Sequence, residues 1–96
     1  DLMLMSINKI DQEKYIKLMS ENLSVLRAKI NLSQEELADV LGVTRQTISA
    51  VENEQRNMSW PIFLSLILIF LKNKETKRLI VLLGIYTKEL SDFITF

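Results

Sequence analysis

The sequence predicts an all-helical domain of five or six helices. Only two glycines and one proline occur among its 96 residues, which leaves few turn residues for β-hairpins. Apolar residues recur at steps of three and four, the period of helices that bury one face. Capping residues precede several of these stretches, and a hydrophobic share of 48% can supply one core at this size.

Cysteine and histidine are both absent, and this limits the chemistry open to the chain. Disulfides and thiolates are excluded, and the commonest general base and metal ligand is missing. No carboxylate pair accompanies a glycine-rich phosphate loop or a nucleophile motif. We therefore expect a protein that is not an enzyme and uses no cofactor. Because no export signal is visible, the expected location is the cytoplasm.

The amino-terminal part predicts an arm followed by helix. Residues 1–10 are apolar-rich but too short to span a bilayer, and we expect an ordered arm there. Between residues 11 and 31 one helical stripe is formed by Tyr15, Ile16, Met19, Leu23, Leu26 and Ile30. The polar run Ser20-Glu21-Asn22 leaves open whether this stretch is one helix or two.

Residues 33–53, SQEELADVLGVTRQTISAVEN, predict two short helices joined by a tight turn. Ser33 and Glu36 have the spacing of a capping box at the start of the first helix. Gly42 suits a left-handed helix end, and Thr44 suits the cap of the second helix. Small and apolar residues fall where two crossing helices touch: Leu37, Ala38, Leu41, Val43, Ile48 and Val51. This is the sequence pattern of a DNA-reading helix-turn-helix.

A strongly apolar segment follows the motif. Ser59-Trp60-Pro61 suits a helix start, with proline in the first turn. Residues 62–71, IFLSLILIFL, are apolar nearly all round but too few to cross a membrane. Such a helix is either buried on several sides within the domain or packs one face against a second copy. Because a small monomer can hardly bury all ten residues, we favour the second copy.

The remaining residues predict two short helices. Residues 72–77 are a polar interruption, residues 78–83 a helix ended by Gly84, and residues 87–94 a last helix capped by Thr87. The chain then divides into residues 1–20 as an arm or helix, 21–58 as a first helix plus the helix-turn-helix, and 59–96 as helices that complete the core and form the dimer interface.

The segment LRAKINLSQEELADVLGVTRQTISAVEN closely resembles the helix-turn-helix of the Cro- and phage-repressor-like transcriptional regulators. The likeness is good over residues of about 22 to 57 and fades beyond Trp60. It implies a five-helix, lambda-repressor-like DNA-binding domain. Members of that family generally bind operator DNA as homodimers, with the second motif helix in the major groove.

The resemblance assigns candidate DNA contacts by position. It places the side-chain and backbone N–H groups at the start of the first motif helix, at Gln34, on a phosphate, which suits the positive end of a helix. It also implies that the outer face of the second helix contacts the groove. The residues of that face are Thr44, Arg45, Gln46, Ser49 and Ala50. Arg45 can bind guanine and Gln46 adenine through two hydrogen bonds each. Each assignment competes with a plain solvated helix surface.

The resemblance also assigns residues around the motif. Thr47 is open between a phosphate contact and internal support, and Asn53 and Arg56 are placed on the sugar-phosphate backbone. The family often has glycine after the asparagine, where this chain has Glu54. Arg27 and Glu52 match the positions of an ion pair between the first and third helices, so Arg27 is assigned to structure instead of DNA.

Charge is the feature that fits DNA binding least well. Twelve basic and twelve acidic residues cancel, whereas DNA-binding domains usually carry a basic footprint. Residues 33–56 hold five acidic side chains against two arginines. The basic residues of 72–78 are either a solvated connection or a flanking contact with the DNA backbone. We therefore expect modest affinity from a monomer.

Two hypotheses follow from these patterns. In the first, the chain is a sequence-specific regulator of transcription that binds double-stranded DNA as a homodimer and represses by covering a promoter. In the second, it is an antitoxin-type or other interaction module whose apolar carboxy-terminal helices cover a partner protein. The neutral charge and the apolar residues 60–71 favour the second, and both activities can coexist in one chain. Neither involves a membrane.

Overall fold

A computed structural model of the protein describes residues 10–95, and six α-helices and no strand occur within them. The helices are α1 (Gln12–Lys29), α2 (Gln34–Leu41), α3 (Arg45–Glu52), α4 (Trp60–Leu71), α5 (Lys74–Leu82) and α6 (Lys88–Ile94). The predicted all-helical class is confirmed. The arm expected over residues 1–10 falls outside the described residues, apart from Ile10.

Residues 12–29 form one continuous helix. The sequence had left open whether the polar run Ser20-Glu21-Asn22 divides this stretch into two helices. Ser20 is small enough to be buried against the core, and the Asn22 Nδ2 atom donates to the Leu18 carbonyl oxygen at 2.8 Å. Both polar residues are therefore accommodated without a break. The division expected between residues 20 and 21 falls inside this helix.

The helix expected over residues 78–83 begins earlier, at Lys74, so the prediction of a polar interruption over residues 72–77 was wrong for most of its length. Asn73 explains the difference because its side chain accepts hydrogen bonds from the backbone amides of Glu75 and Thr76. The Thr76 hydroxyl donates to the Phe70 carbonyl oxygen at 2.7 Å, which ties this first turn to the end of α4.

Four helices end in the same backbone motif, and each uses a residue with positive φ: Asn31 (54°), Gly42 (72°), Glu54 (57°) and Gly84 (76°). The amide after each of these residues donates to a carbonyl five positions earlier, at 2.9 to 3.0 Å. This pattern is the Schellman motif, which satisfies carbonyls left free at a helix end. Glycine adopts this conformation without strain, whereas glutamate does not.

The core lies between α1 and α4 and is closed by the other helices. Tyr15, Met19, Leu23 and Leu26 of α1 are fully buried. From α4, Phe63, Leu66, Ile67 and Phe70 are equally buried. Most other residues of α4 are partly covered, and Leu68 is the apolar residue of this helix that stays exposed, at 59%. The monomer thus covers more of residues 62–71 than expected, because α4 contacts both α1 and α5.

Tyr15 joins the first helix to the last. Its hydroxyl lies 2.6 Å from the Thr87 Oγ1 atom and donates to the Glu89 Oε1 atom at 2.7 Å. Burial raises the pKa of Tyr15 above its ordinary value, so the phenol stays protonated and can donate. Trp60 stacks on Phe63 with ring centroids 4.8 Å apart, and Phe93 of α6 meets the Trp60 ring edge-on at 5.9 Å.

None of the helices in residues 10–95 has both the length and the apolar character needed to cross a membrane. The most apolar helix, α4, has 12 residues. This is well below the roughly 20 residues that a bilayer core requires.

We expect Glu54→Gly to stabilise the domain by about 0.5–1 kcal/mol. Glu54 holds a φ of 57° that glycine adopts freely, and the side chain is exposed, so little packing is lost with it. Urea denaturation followed by circular dichroism measures the change.

Gly42→Ala is the matched control for that substitution. A Cβ atom at Gly42 meets nothing within 4 Å, so its effect isolates the backbone cost at a φ of 72°. We expect a loss of about 1 kcal/mol. If Glu54→Gly destabilised the domain as Gly42→Ala does, the glutamate would not be strained.

Candidate nucleic-acid interface

Capping residues fix the start of α2 and both sides of the turn between α2 and α3. The Ser33 hydroxyl accepts from the Glu36 amide at 3.0 Å, and the Glu36 carboxylate accepts from the Ser33 amide at 2.9 Å, so the predicted capping box is confirmed. These hydrogen bonds also lower the pKa of Glu36. Gly42 ends α2 in the left-handed conformation, and the Thr44 hydroxyl accepts from the Thr47 amide at the start of α3.

The seam between the two motif helices is tightly packed. Leu37, Ala38, Ile48 and Val51 are each 3% exposed or less. Ala38 is buried in this seam, and its small side chain suits a position where two helices pass closely. Leu41 and Val43 are half-buried at the edge of the same core. These contacts hold α3 at one fixed angle to α2.

An ion pair holds the end of α3 against α1. Arg27 donates from Nε to Glu52 Oε2 at 2.6 Å and from Nη2 to Glu52 Oε1 at 3.0 Å. Its Nη1 atom donates to the Leu32 carbonyl oxygen at 2.9 Å, so the guanidinium also ties down the connection before α2. The two hydrogen bonds to Glu52 raise the pKa of Arg27. The side chains are 16% and 7% exposed, which places the pair at the edge of the core.

Gln34 is placed differently from the expectation of a side-chain contact with a phosphate. Its Nε2 atom donates to Glu52 Oε1 at 2.9 Å, so the amide group belongs to the ion-pair cluster. Gln34 is nevertheless the first residue of α2, directly after its cap. The hydrogen bond from Gln34 to Glu52 does not involve the backbone N–H groups at the start of α2. The phosphate contact expected of these backbone groups therefore stays a prediction.

The outer face of α3 presents the residues that the sequence singled out. Thr44, Arg45 and Gln46 are exposed, and Ser49 and Ala50 are half-buried. Within residues 10–95 the side chains of Arg45 and Gln46 form no hydrogen bond. These two long side chains are therefore available to a ligand without the loss of an internal contact.

The loop after α3 folds back beside the same face. Arg56 Nη1 lies 3.4 Å from the Thr47 hydroxyl, which is itself 3.1 Å from the Thr44 hydroxyl. Thr47 thus gives internal support at the start of α3. The Asn53 amide reaches the Ser49 hydroxyl at 3.5 Å, at the far end of the helix. Asn53 and Arg56 are both exposed, and they mark the two ends of one surface.

Lys17 is a candidate contact that the sequence did not indicate. It lines an open cleft of about 490 Å³ together with Arg56, Asn57, Glu54 and Ser20. No local signal could have predicted this, because Lys17 is nearly forty positions away from the loop. Lys17 and Arg56 therefore line one cleft, together with two acidic side chains, Glu13 and Glu54.

Comparison with known proteins identifies part of the chain. Residues 23–59 match the sequence model of a helix-turn-helix family, and this span runs from the second half of α1 to the cap of α4. The match covers the ion pair, both motif helices and the loop after α3.

This match supports a likeness of residues 23–59 to the Cro- and phage-repressor-type helix-turn-helix. The match supports a DNA-binding helix-turn-helix in this segment. The resemblance noted in the sequence is thereby confirmed. No characterised protein and no solved structure gave a significant match. Helices α5 and α6 lie wholly outside the matched residues.

We expect Arg27→Ala to destabilise the domain by about 2–4 kcal/mol, because it leaves a partly buried Glu52 carboxylate without its cation. The double substitution Arg27→Met with Glu52→Leu should recover most of that loss, since no unpaired charge remains. Thermal and urea denaturation measure both variants.

The control is Lys88→Ala, which removes the exposed pair of Lys88 with Asp92. An exposed pair contributes little, so we expect a change of less than about 0.5 kcal/mol. A variant Arg27→Ala that lost DNA binding at unchanged stability would contradict the structural role of Arg27.

Proposed function

We propose that the protein is a sequence-specific repressor of transcription that binds double-stranded DNA as a homodimer in the cytoplasm and has no catalytic activity. The observation that carries the proposal is the free, outward-facing pair of Arg45 and Gln46 on a rigidly held α3. That pair lies at the start of the helix which, in a helix-turn-helix, enters the major groove.

Arg45 and Gln46 supply the reading of bases in this proposal. Arginine binds the O6 and N7 atoms of guanine, and glutamine binds the N6 and N7 atoms of adenine. Ser49 and Ala50 are short and half-buried, so they let the helix approach closely and contact a thymine methyl group at most. Two long side chains specify few base pairs, and this limits the specificity of one copy.

Contacts with phosphates position the helix in this proposal. The first amides of α2, at Gln34, point their donors at one phosphate, and a helix start favours an anion there. Thr44, Asn53 and Arg56 are exposed at the two ends of α3 and contact the backbone on either side of the groove. These contacts fix the register and read no sequence themselves.

A second copy supplies the specificity that one copy lacks. The candidate interface is an apolar groove of about 240 Å³ that is lined by Leu64, Leu68, Phe93 and Ile94. It joins the exposed part of α4 to the last turn of α6. A dimer formed through this groove would present two copies of α3 to successive major grooves, about 34 Å apart.

The second candidate function uses the same groove for a different protein, as an antitoxin does. The exposed Leu68 and the apolar lining favour it, since such patches mark interaction sites. Size-exclusion chromatography of the purified chain separates the two functions. A stable dimer favours a groove that is covered by a second copy, whereas aggregation favours a missing partner.

We expect Arg45→Ala and Gln46→Ala each to weaken binding to a selected operator by about 1–3 kcal/mol and to relax preference at one base pair. Arg56→Ala should weaken binding to the selected operator and to random DNA equally, since phosphate contacts carry no sequence information. Fluorescence anisotropy with operators selected from random duplexes measures these effects.

The proposal of sequence-specific binding fails if the unaltered chain shows no preference for the selected operator over random DNA at low salt. Val40→Ser is the matched control for the alanine variants. Val40 is 65% exposed and belongs to α2, outside the proposed contacts, so this change should leave operator binding unaltered.

We expect Leu68→Glu to convert a dimer to a monomer, because it places a charge in the apolar groove. Sedimentation velocity measures the mass, and circular dichroism checks that the helices are retained. Val40→Glu adds the same charge to another exposed apolar position and should leave the mass unchanged. A Leu68→Glu variant that remains dimeric would place the interface elsewhere.

A further inference from the structure

Five exposed cations lie outside the helix-turn-helix, in or next to α5 and at the end of α1, and we call them the α5 patch: Lys29, Lys72, Lys74, Lys77 and Arg78. The acidic residue among positions 72–78 is Glu75. Within the described part of the chain, salt bridges join Arg27 to Glu52 and Lys88 to Asp92. None of the five cations is therefore neutralised by an ion pair in residues 10–95.

The fold brings Lys29 to this patch from a distant part of the sequence. Lys29 and Arg78 line the same open cleft of about 340 Å³, together with Glu75 and Leu82. The cleft lies where the last turn of α1 meets α5, and the two helices are in contact. The end of α1 is thus joined to the basic surface of α5.

The cations of α5 lie on its outer side. Thr76 and Ile80 are buried and mark the inner side of the helix. Lys74, Lys77 and Arg78 are spaced by three and four residues, so they share the opposite side. The result is a continuous positive strip along the helix.

One residue of the patch, Lys29, lies close along the chain to the interface proposed above. Lys29 is followed after four residues by Gln34, whose helix start is proposed to hold a phosphate. Residues two apart point to opposite sides of a helix, so Lys29 is turned away from Arg27 and α3. Through Lys29 the patch thus reaches the end of the helix that leads into α2, on a side of α1 other than the one that Arg27 occupies.

We propose that the α5 patch binds the DNA backbone that flanks the site read by α3. This inference rests on the proposed DNA-binding function and adds a second contact surface to it. Residues 33–56 hold five acidic side chains against two arginines, so the motif alone attracts DNA poorly. The patch has the cations that the motif lacks. When such cations contact phosphates, the counterions condensed on the DNA are released, and this release favours binding. An acidic protein surface is the competing partner.

The test compares two double variants with equal loss of charge. Lys29→Gln with Arg78→Gln removes the two cations that share the cleft. Lys14→Gln with Lys88→Gln is the control. These two lysines lie near the Tyr15–Thr87 contact, and Lys14 is about 22 Å along α1 from Lys29. Both variants and the unaltered chain are titrated against the selected operator at several salt concentrations, with about 10 flanking base pairs on each side and without them.

The unaltered chain should bind the flanked duplex more tightly than the short one. For the patch variant, the slope of log affinity against log salt should fall by about 1.8 for each bound copy, since each lost phosphate contact removes about 0.9. Its binding should no longer depend on the flanks. The control variant should keep both the slope and the flank dependence.

If the patch variant kept the same salt slope and the same flank dependence as the control variant, the inference would be overturned. An acidic protein surface would then be the favoured partner of the patch. Preference for the selected operator would stand in that case, so the proposed repressor function would survive. If the unaltered chain bound no duplex at low salt, both proposals would fall together.

Discussion

Glu52 holds two side chains at once, and the geometry of the helix-turn-helix depends on that junction. Its carboxylate accepts two hydrogen bonds from Arg27 and a third from Gln34, while Arg27 also binds the Leu32 carbonyl oxygen. Three helices and one connection therefore meet at a single carboxylate. Since hydrogen bonds between ions are directional as well as strong, the junction sets both the position and the rotation of α3.

The same junction explains why an acidic motif can be compatible with DNA. One of the five acidic side chains in residues 33–56 is neutralised by Arg27, and Glu36 is held against the start of α2. The remaining acids, Glu35, Asp39 and Glu54, are exposed. In the proposed complex α3 supplies contacts of short range, whereas attraction at longer range has to come from cations elsewhere on the molecule.

The sequence predicted much of this structure because the relevant signals are local. Ser33, Gly42, Thr44, Ser59 and Thr87 each act at the helix end where they were expected. The start of α5 was missed because Asn73 is followed by a polar turn without apolar periodicity. Some side-chain contacts between residues that are distant in the sequence were not predicted. The contact of Gln34 with Glu52 and the proximity of Lys17 to Arg56 depend on how helices pack, which no local pattern encodes.

The hydroxyl of Tyr15 meets residues 72 and 74 positions further along the chain. The contacts that build the helix-turn-helix are far closer in sequence, with Arg27 and Glu52 only 25 positions apart. Loop closure costs more entropy as loops lengthen, so short-range contacts are the easier ones to form first. The motif helices can therefore meet before α6 docks. The hydroxyl of Tyr15 must then wait for the last helix before it meets Thr87 and Glu89.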